Sequence, residues 1–123
     1  MDKQRKRVLV VDASEQVRRM LTETLDGAGY DVVAASSGEE ALREIDRQRA
    51  DMIISDLDMP GLSGVELVQQ IRSREENRFV PIIMLSVEDT TLLHEKGRTA
   101  GVSGWLVKPF RPEHILSVVK LIS

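Results

Sequence analysis

The sequence contains no cysteine, which excludes a disulfide scaffold, a thiolate metal centre and a thiol nucleophile together. It has no apolar run near the ~20 residues needed to cross a membrane, and its N-terminus lacks the apolar core of a secretory signal. Linkers, internal repeats and low-complexity tracts are also missing. Nor is there a surplus of positive charge: the net charge is −3 and the pI about 5.4, which argues against nucleic-acid binding by this domain itself. What remains is a chain of 123 residues, 41% hydrophobic and 30% charged. That length and balance predict one soluble, cytoplasmic, globular domain over residues 1–123, large enough to hold a core without staples.

The charge is unevenly spread. Residues 1–7 carry Lys3, Arg5, Lys6 and Arg7 against Asp2, so a tip of +3 sits on a body of −6. Four charges in seven residues read as a solvated basic tail, residues 1–6, that leads into a strand.

Apolar runs of strand length alternate with segments of helical spacing. The runs are Arg7–Val11, Val32–Ala35, Met52–Ser55, Val80–Leu85 and Gly104–Val107. They lack polar alternation, as expected of parallel strands covered on both faces. Between them, Val17, Met20, Leu21 and Leu25 mark one helical stripe. Ala41, Leu42 and Ile45 mark a second; Val65, Val68 and Ile71 a third; Ile115, Leu116, Val119 and Ile122 a fifth. The fourth, from about Asp89 to Thr99, has only Leu92 and Leu93 as strong apolar residues and should be the least firmly held. Ser14 is placed to cap the first helix, with Gly27 and Gly29 at its end. Ser37 and Glu40 have capping-box spacing, and Pro112 suits a first helical turn. Five β/α units predict a doubly wound α/β fold of five parallel strands and five helices, in the flavodoxin-like order 2-1-3-4-5.

Ligands of such sheets bind beyond the carboxyl ends of the strands, where the strand order reverses. Asp12 follows the first strand, Asp56 ends the third, Ser86 the fourth and Lys108 the fifth. A lone Asp after a strand is usually a turn or cap residue, but four polar groups at equivalent positions converge on one crevice. Paired carboxylates with a backbone carbonyl are hard oxygen ligands suited to Mg²⁺. A lysine and a hydroxyl can hold phosphoryl oxygens, and an aspartate can attack phosphorus. The methionines Met20, Met52, Met59 and Met84 suit core filling. His94 and His114 are expected at the surface, and the clusters Arg43/Arg47/Arg49 and Arg72/Arg74/Arg78 on solvated helix faces.

The segments VLVVDAS at 8–14, SDLDMPGLSGVEL at 55–67, LSVE at 85–88 and GWLVKPF at 104–110 resemble the receiver domain of two-component response regulators, over essentially the whole chain. The resemblance implies that Asp56 accepts a phosphoryl group from a histidine kinase or histidine phosphotransfer protein, with Mg²⁺ held by Asp12, Asp56 and the carbonyl of Asp58. It implies that Lys108 contacts the phosphoryl group, that the Ser86 hydroxyl moves toward it, and that Trp105 takes the place of the aromatic switch residue. The Lys108–Pro109 bond is expected to be cis. Activation is expected to alter the surface of the fourth helix, fifth strand and fifth helix. That surface would be read by a downstream protein or an output domain, in a stand-alone receiver or in one cut from a longer regulator.

One position departs from the pattern. The family's acidic pair normally continues with a second acid, and here Ala13 stands in its place. A methyl group cannot ligate Mg²⁺, so weak metal binding is expected; Asp58 and Glu15 are acids near enough in sequence to add charge. Two other classes remain open at this stage. One is a degenerate receiver that docks proteins without phosphate. The other is a phosphatase of the haloacid-dehalogenase type, which shares the D-x-D of Asp56 and Asp58 but needs a cap and a later acidic pair.

Overall fold

A computed structural model describes residues 5–88 and 91–122. The elements alternate as β1 (Arg7–Val11), α1 (Glu15–Gly27), β2 (Asp31–Ala35), α2 (Gly38–Arg47), β3 (Met52–Asp56) and α3 (Gly64–Arg72). A short 3₁₀ turn, Glu75–Asn77, precedes β4 (Ile82–Ser86), α4 (Thr91–Ala100), β5 (Gly104–Val107) and α5 (Pro112–Ile122). The strands form one parallel sheet in the order β2-β1-β3-β4-β5, as the alternation predicts. The fourth strand begins two residues later than its apolar run. Pro81 has no N–H to give a ladder and serves only as an acceptor, its carbonyl taking the Ile53 N–H at 2.9 Å.

Strand side chains alternate between two cores. Leu9, Val11, Ile53, Ile82 and Met84 face the layer that carries Ala41, Ile45, Leu67, Val68 and Ile71 of α2 and α3. Val8, Val10, Ile54, Ile83 and Leu85 face Leu21 and Leu25 of α1 and Ile115 and Val119 of α5. Each fully buried aliphatic side chain contributes roughly 1.5–3 kcal/mol, so the central strands are firmly held. Helix α4 is the exception: of its described residues only Gly97 is buried.

The helix ends follow their local chemistry. Ser14 caps α1 through the Val17 N–H at 3.3 Å, and Gly29 leaves the helix with φ +98°. Ser37 caps α2 through the Glu40 N–H, but the expected box does not close there. The neighbouring Ser36 hydroxyl donates to the Glu40 carboxylate at 3.1 Å instead. The complete box is at α3, where Ser63 and Glu66 satisfy one another's backbone N–H. Met52, Met59 and Met84 are buried. Residues 1–4 of the basic tail lie outside the described residues. Arg5 is half exposed and donates to the carbonyls of Gly29 and Tyr30 at 2.8 and 2.7 Å. The second arginine cluster is not a solvated face: Arg72 donates to the carbonyls of Gly101 and Asn77, and Arg74 grips Asp46 through two bonds.

Candidate functional site

The carboxyl ends of β1, β3 and β5 bring Asp12, Asp56 and Lys108 together. Parallel pairing sets Val11 beside Ser55 and Asp56 beside Leu85, so the residues that leave these strands emerge at one level. Lys108 Nζ lies 3.0 Å from Asp12 Oδ2 and 3.2 Å from Asp56 Oδ1. The Asp12 side chain is 1% exposed and that of Asp56 9%. The other oxygen of Asp12 accepts the Ser14 N–H at 2.9 Å, and the Asp12 carbonyl accepts from Arg18 Nη1 at 2.7 Å. Thus the lysine ammonium bridges a buried carboxylate pair and offsets one of its two charges, and each Asp12 oxygen has a fixed donor.

Burial raises the Asp56 pKa above its ordinary value, and the charge of Asp12 adds to the rise; Lys108 and the Asp58 backbone N–H pull it back. Burial opposes the charge on Lys108, yet the hydrogen bond and charge of Asp12, with Asp56 behind them, outweigh it and hold its pKa above the usual lysine value. The same three groups therefore give a carboxylate pair whose charge burial and mutual repulsion oppose, and a firmly protonated cation.

Asp58 is exposed, and its backbone N–H bonds to Asp56. Glu15 is paired with Arg19 on α1 at 3.4 Å. Gly64 completes the frame. A Cβ there would run into the Asp56 carbonyl and stand 2.7 Å from Leu57 Cα, so only glycine lets α3 start against the end of β3.

Ser86 is fully buried, with its hydroxyl held inside its own turn: it donates to the Glu88 carbonyl at 2.9 Å and accepts the Glu88 N–H at 3.0 Å. Trp105 lies opposite Met84 on the neighbouring strand and packs against the core under α3 and α4. His94, expected at the surface, stacks on the Trp105 indole with centroids 4.5 Å apart and planes at 27°. His114 is exposed, as expected. The Lys108–Pro109 peptide bond is cis. Beside Lys108, an apolar recess of about 380 Å³ is lined by Val17, Met20, Val87, Pro109 and Phe110. A wider cleft of about 530 Å³, walled by arginines and aspartates such as Arg7 and Asp51, lies at the opposite ends of the strands, away from these groups.

Residues 8–120 match the family model of the response regulator receiver domain. The chain belongs to that family. This receiver is 40% identical to the chemotaxis protein CheY4 of Vibrio cholerae, whose structure superposes with a TM-score of 0.95 over 98% of this chain and 100% of that one. It is 36% identical to the alkaline phosphatase synthesis transcriptional regulatory protein PhoP of Bacillus subtilis, over 95% of this chain and 48% of the relative. It is 32% identical to the DNA-binding response regulator MtrA of Mycolicibacterium smegmatis, over 98% of this chain and 51% of the relative. The receiver thus spans about half the length of the curated relatives it matches. Receiver domains are signalling domains, and the phosphatase reading is set aside. None of the described helices is long and apolar enough to cross a membrane.

Sequence reasoning overlooked three parts of the receiver's site. Arg18, which holds the Asp12 carbonyl, is one turn beyond the Ser14 cap and was hidden in an ordinary polar helix face. Gly64 was visible in the MPG-x-x-G turn, but nothing in spacing shows what a Cβ would strike. His94 has no local signal at all, because its partner comes from the next strand.

Proposed function

We propose that this receiver is a phosphoacceptor switch in which Asp56 takes a phosphoryl group from a phosphohistidine of a histidine kinase or phosphotransfer protein. The observation that carries this reading is the Asp12–Lys108–Asp56 cluster at the reversal point of the sheet. An Asp56 oxygen forms the new O–P bond as the N–P bond of the donor breaks, and the imidazole leaves with the bonding pair and takes up a proton. Lys108 stays protonated throughout and moves its hydrogen bonds from the carboxylates to the incoming phosphoryl oxygens. Asp12, fixed by the Ser14 N–H, keeps the ammonium in place. The Ser86 hydroxyl exchanges its bonds to Glu88 for one to the phosphoryl group, and Trp105 responds on the same side of the sheet.

The donor set fits Mg²⁺ in kind: Asp12, Asp56 and the Asp58 carbonyl are the hard oxygens that would hold it, one carboxylate short because of Ala13. When bound, the ion would neutralise charge on the transferred group. Incubation with acetyl phosphate and Mg²⁺ should add one phosphoryl group by intact mass, lost in Asp56→Asn. Modification mapped to Asp58 would overturn the assignment.

One observation favours a second reading. Lys108 bridges both carboxylates directly, a contact that would also hold the cluster together in a domain that docks proteins without phosphate. Such a domain would keep its partner contact after Asp56→Ala, whereas the switch would lose its regulation.

A further inference from the structure

Helix α4 meets the rest of the protein in an unusual way. Its only fully buried residue among those described is Gly97, and the side chains that anchor it to the core, Leu93 and Ala100, are only partly buried. What fills the space opposite Gly97 is the Trp105 indole. A Cβ built at position 97 would lie 2.5 Å from Trp105 Cζ3 and 3.3 Å from Cε3. Three residues earlier on the same helix, His94 stacks on the same indole. The helix then ends in a tight turn: Gly101, at φ +105°, and Val102 both return their N–H groups to the Gly97 carbonyl, at 3.0 and 2.9 Å. That turn sends the chain straight into β5 and brings Trp105 back under the helix it has just left. Trp105 Nε1 is buried and, among the described residues, has no hydrogen-bond partner. The indole is therefore held by shape and stacking, not by a polar tether.

We propose that His94 and Gly97 are positioning residues that form a seat for Trp105, so that the place of α4 follows the place of the indole. Gly97 supplies the hollow and His94 the lid, beside the partly buried Leu93 and Ala100 that hold α4 to the core. The link to Asp56 rests on the switch reading above, because Ser86 and Trp105 project to one side of adjacent strands. The seat itself does not. A larger side chain at 97 must move either the indole or the helix, since packed interiors do not yield by 1 Å without loss.

Trp105 is the only tryptophan, so its emission and acrylamide quenching report the seat directly, without any phosphodonor. Glycine to alanine inside a helix ordinarily raises stability. Gly97→Ala should instead lower the melting temperature, shift the emission to the red, and raise the quenching constant about two-fold as the indole leaves packed contact. His94→Ala should move emission and quenching the same way by less, and His94→Phe, which keeps a ring to stack, should restore them. Unchanged quenching in both Gly97→Ala and His94→Ala, or a rise in melting temperature for Gly97→Ala, would overturn the seat.

Acetyl phosphate with Mg²⁺ then tests the link, with modification followed by mass. If Asp56 is modified equally in wild type and Gly97→Ala but only wild-type emission responds, the coupling through the seat holds. An equal emission response in both proteins removes it. Failure of Asp56 to be modified in wild type would sink the switch reading and the link, and leave the seat to be decided by the unmodified proteins.

Discussion

Substituting Ala13→Asp should strengthen Mg²⁺ binding and weaken the metal-free fold, two effects of opposite sign from one carboxylate. In the present site one ammonium stands 3.0 and 3.2 Å from two carboxylates, so the cluster already carries one uncompensated negative charge. A third carboxylate about 6 Å away would feel two repulsions and one attraction, each roughly 3 kcal/mol at an effective dielectric constant of ~20. One repulsion survives the cancellation. Position 13 is exposed, and solvent reduces that remainder to about 1 kcal/mol. The start of α1 returns a few tenths through its dipole, about 0.3 kcal/mol. In chelator the melting temperature should therefore fall by about 3–4 °C. Loss of supporting groups around a metal costs roughly 10–100-fold in affinity, and a restored ligand should return at least that much. At a Mg²⁺ concentration ten times the dissociation constant, binding adds about 1.4 kcal/mol and erases the deficit. Calorimetric Mg²⁺ titration and paired melts with and without chelator measure both effects. Equal affinity in the two proteins would show that another group already holds the metal. An equal or higher melting temperature in chelator would refute the charge count around Lys108.

Further outcomes follow from the same groups. Asp56 has a raised pKa in the folded state, so its ionisation costs stability that is present in acid and lost as pH rises through the folded pKa. Asp56→Asn should accordingly raise the neutral-pH melting temperature in chelator and show less decline between acid and neutral pH. Lys108→Met leaves two buried carboxylates without their cation and should cost about 3 kcal/mol by urea denaturation. Since the Lys108 pKa is raised as well, its stabilisation is complete below the ordinary lysine range. It is lost only as pH climbs through the folded value, so an alkaline melt series should show the wild-type advantage over Lys108→Met disappearing there. Gly64→Ala, which drives a Cβ into the end of β3, should destabilise by about 3 kcal/mol. By contrast Gly27→Ala, with nothing within 4 Å of the new methyl, should be neutral or stabilising in the same assay.

Periodic apolar spacing was enough to place five strands and five helices, because the three central strands are buried throughout and the edge runs, though partly exposed, keep their apolar character. The site's charged members were legible for a similar reason: topology puts strand ends together, so Asp12, Asp56 and Lys108 could be read from their place after apolar runs. What spacing does not encode is where a side chain turns next. Ser86 follows its strand as expected but spends its hydroxyl on Glu88. Glu40 has the spacing of a box and is drawn off by Ser36. Arg72 has the composition of a solvated helix face, yet its guanidinium is taken by carbonyls 29 and 5 residues away. His94 and Trp105 meet only after α4 has turned back into β5. Each miss is a choice between local and distant partners of similar strength, and only the folded geometry decides it.

The span between the two ends of the charge cluster has a further consequence. Asp12 and Lys108 are 96 residues apart, and β5, which delivers the lysine, is the edge strand added beyond β4. Contacts of such separation form late, after the entropy of closing the intervening chain has been met. On the phosphoacceptor reading, a nascent or partly folded molecule holds Asp12 and Asp56 without their cation, a carboxylate pair that would repel an anionic donor. The completed charge cluster is thereby tied to the docking of the last strand.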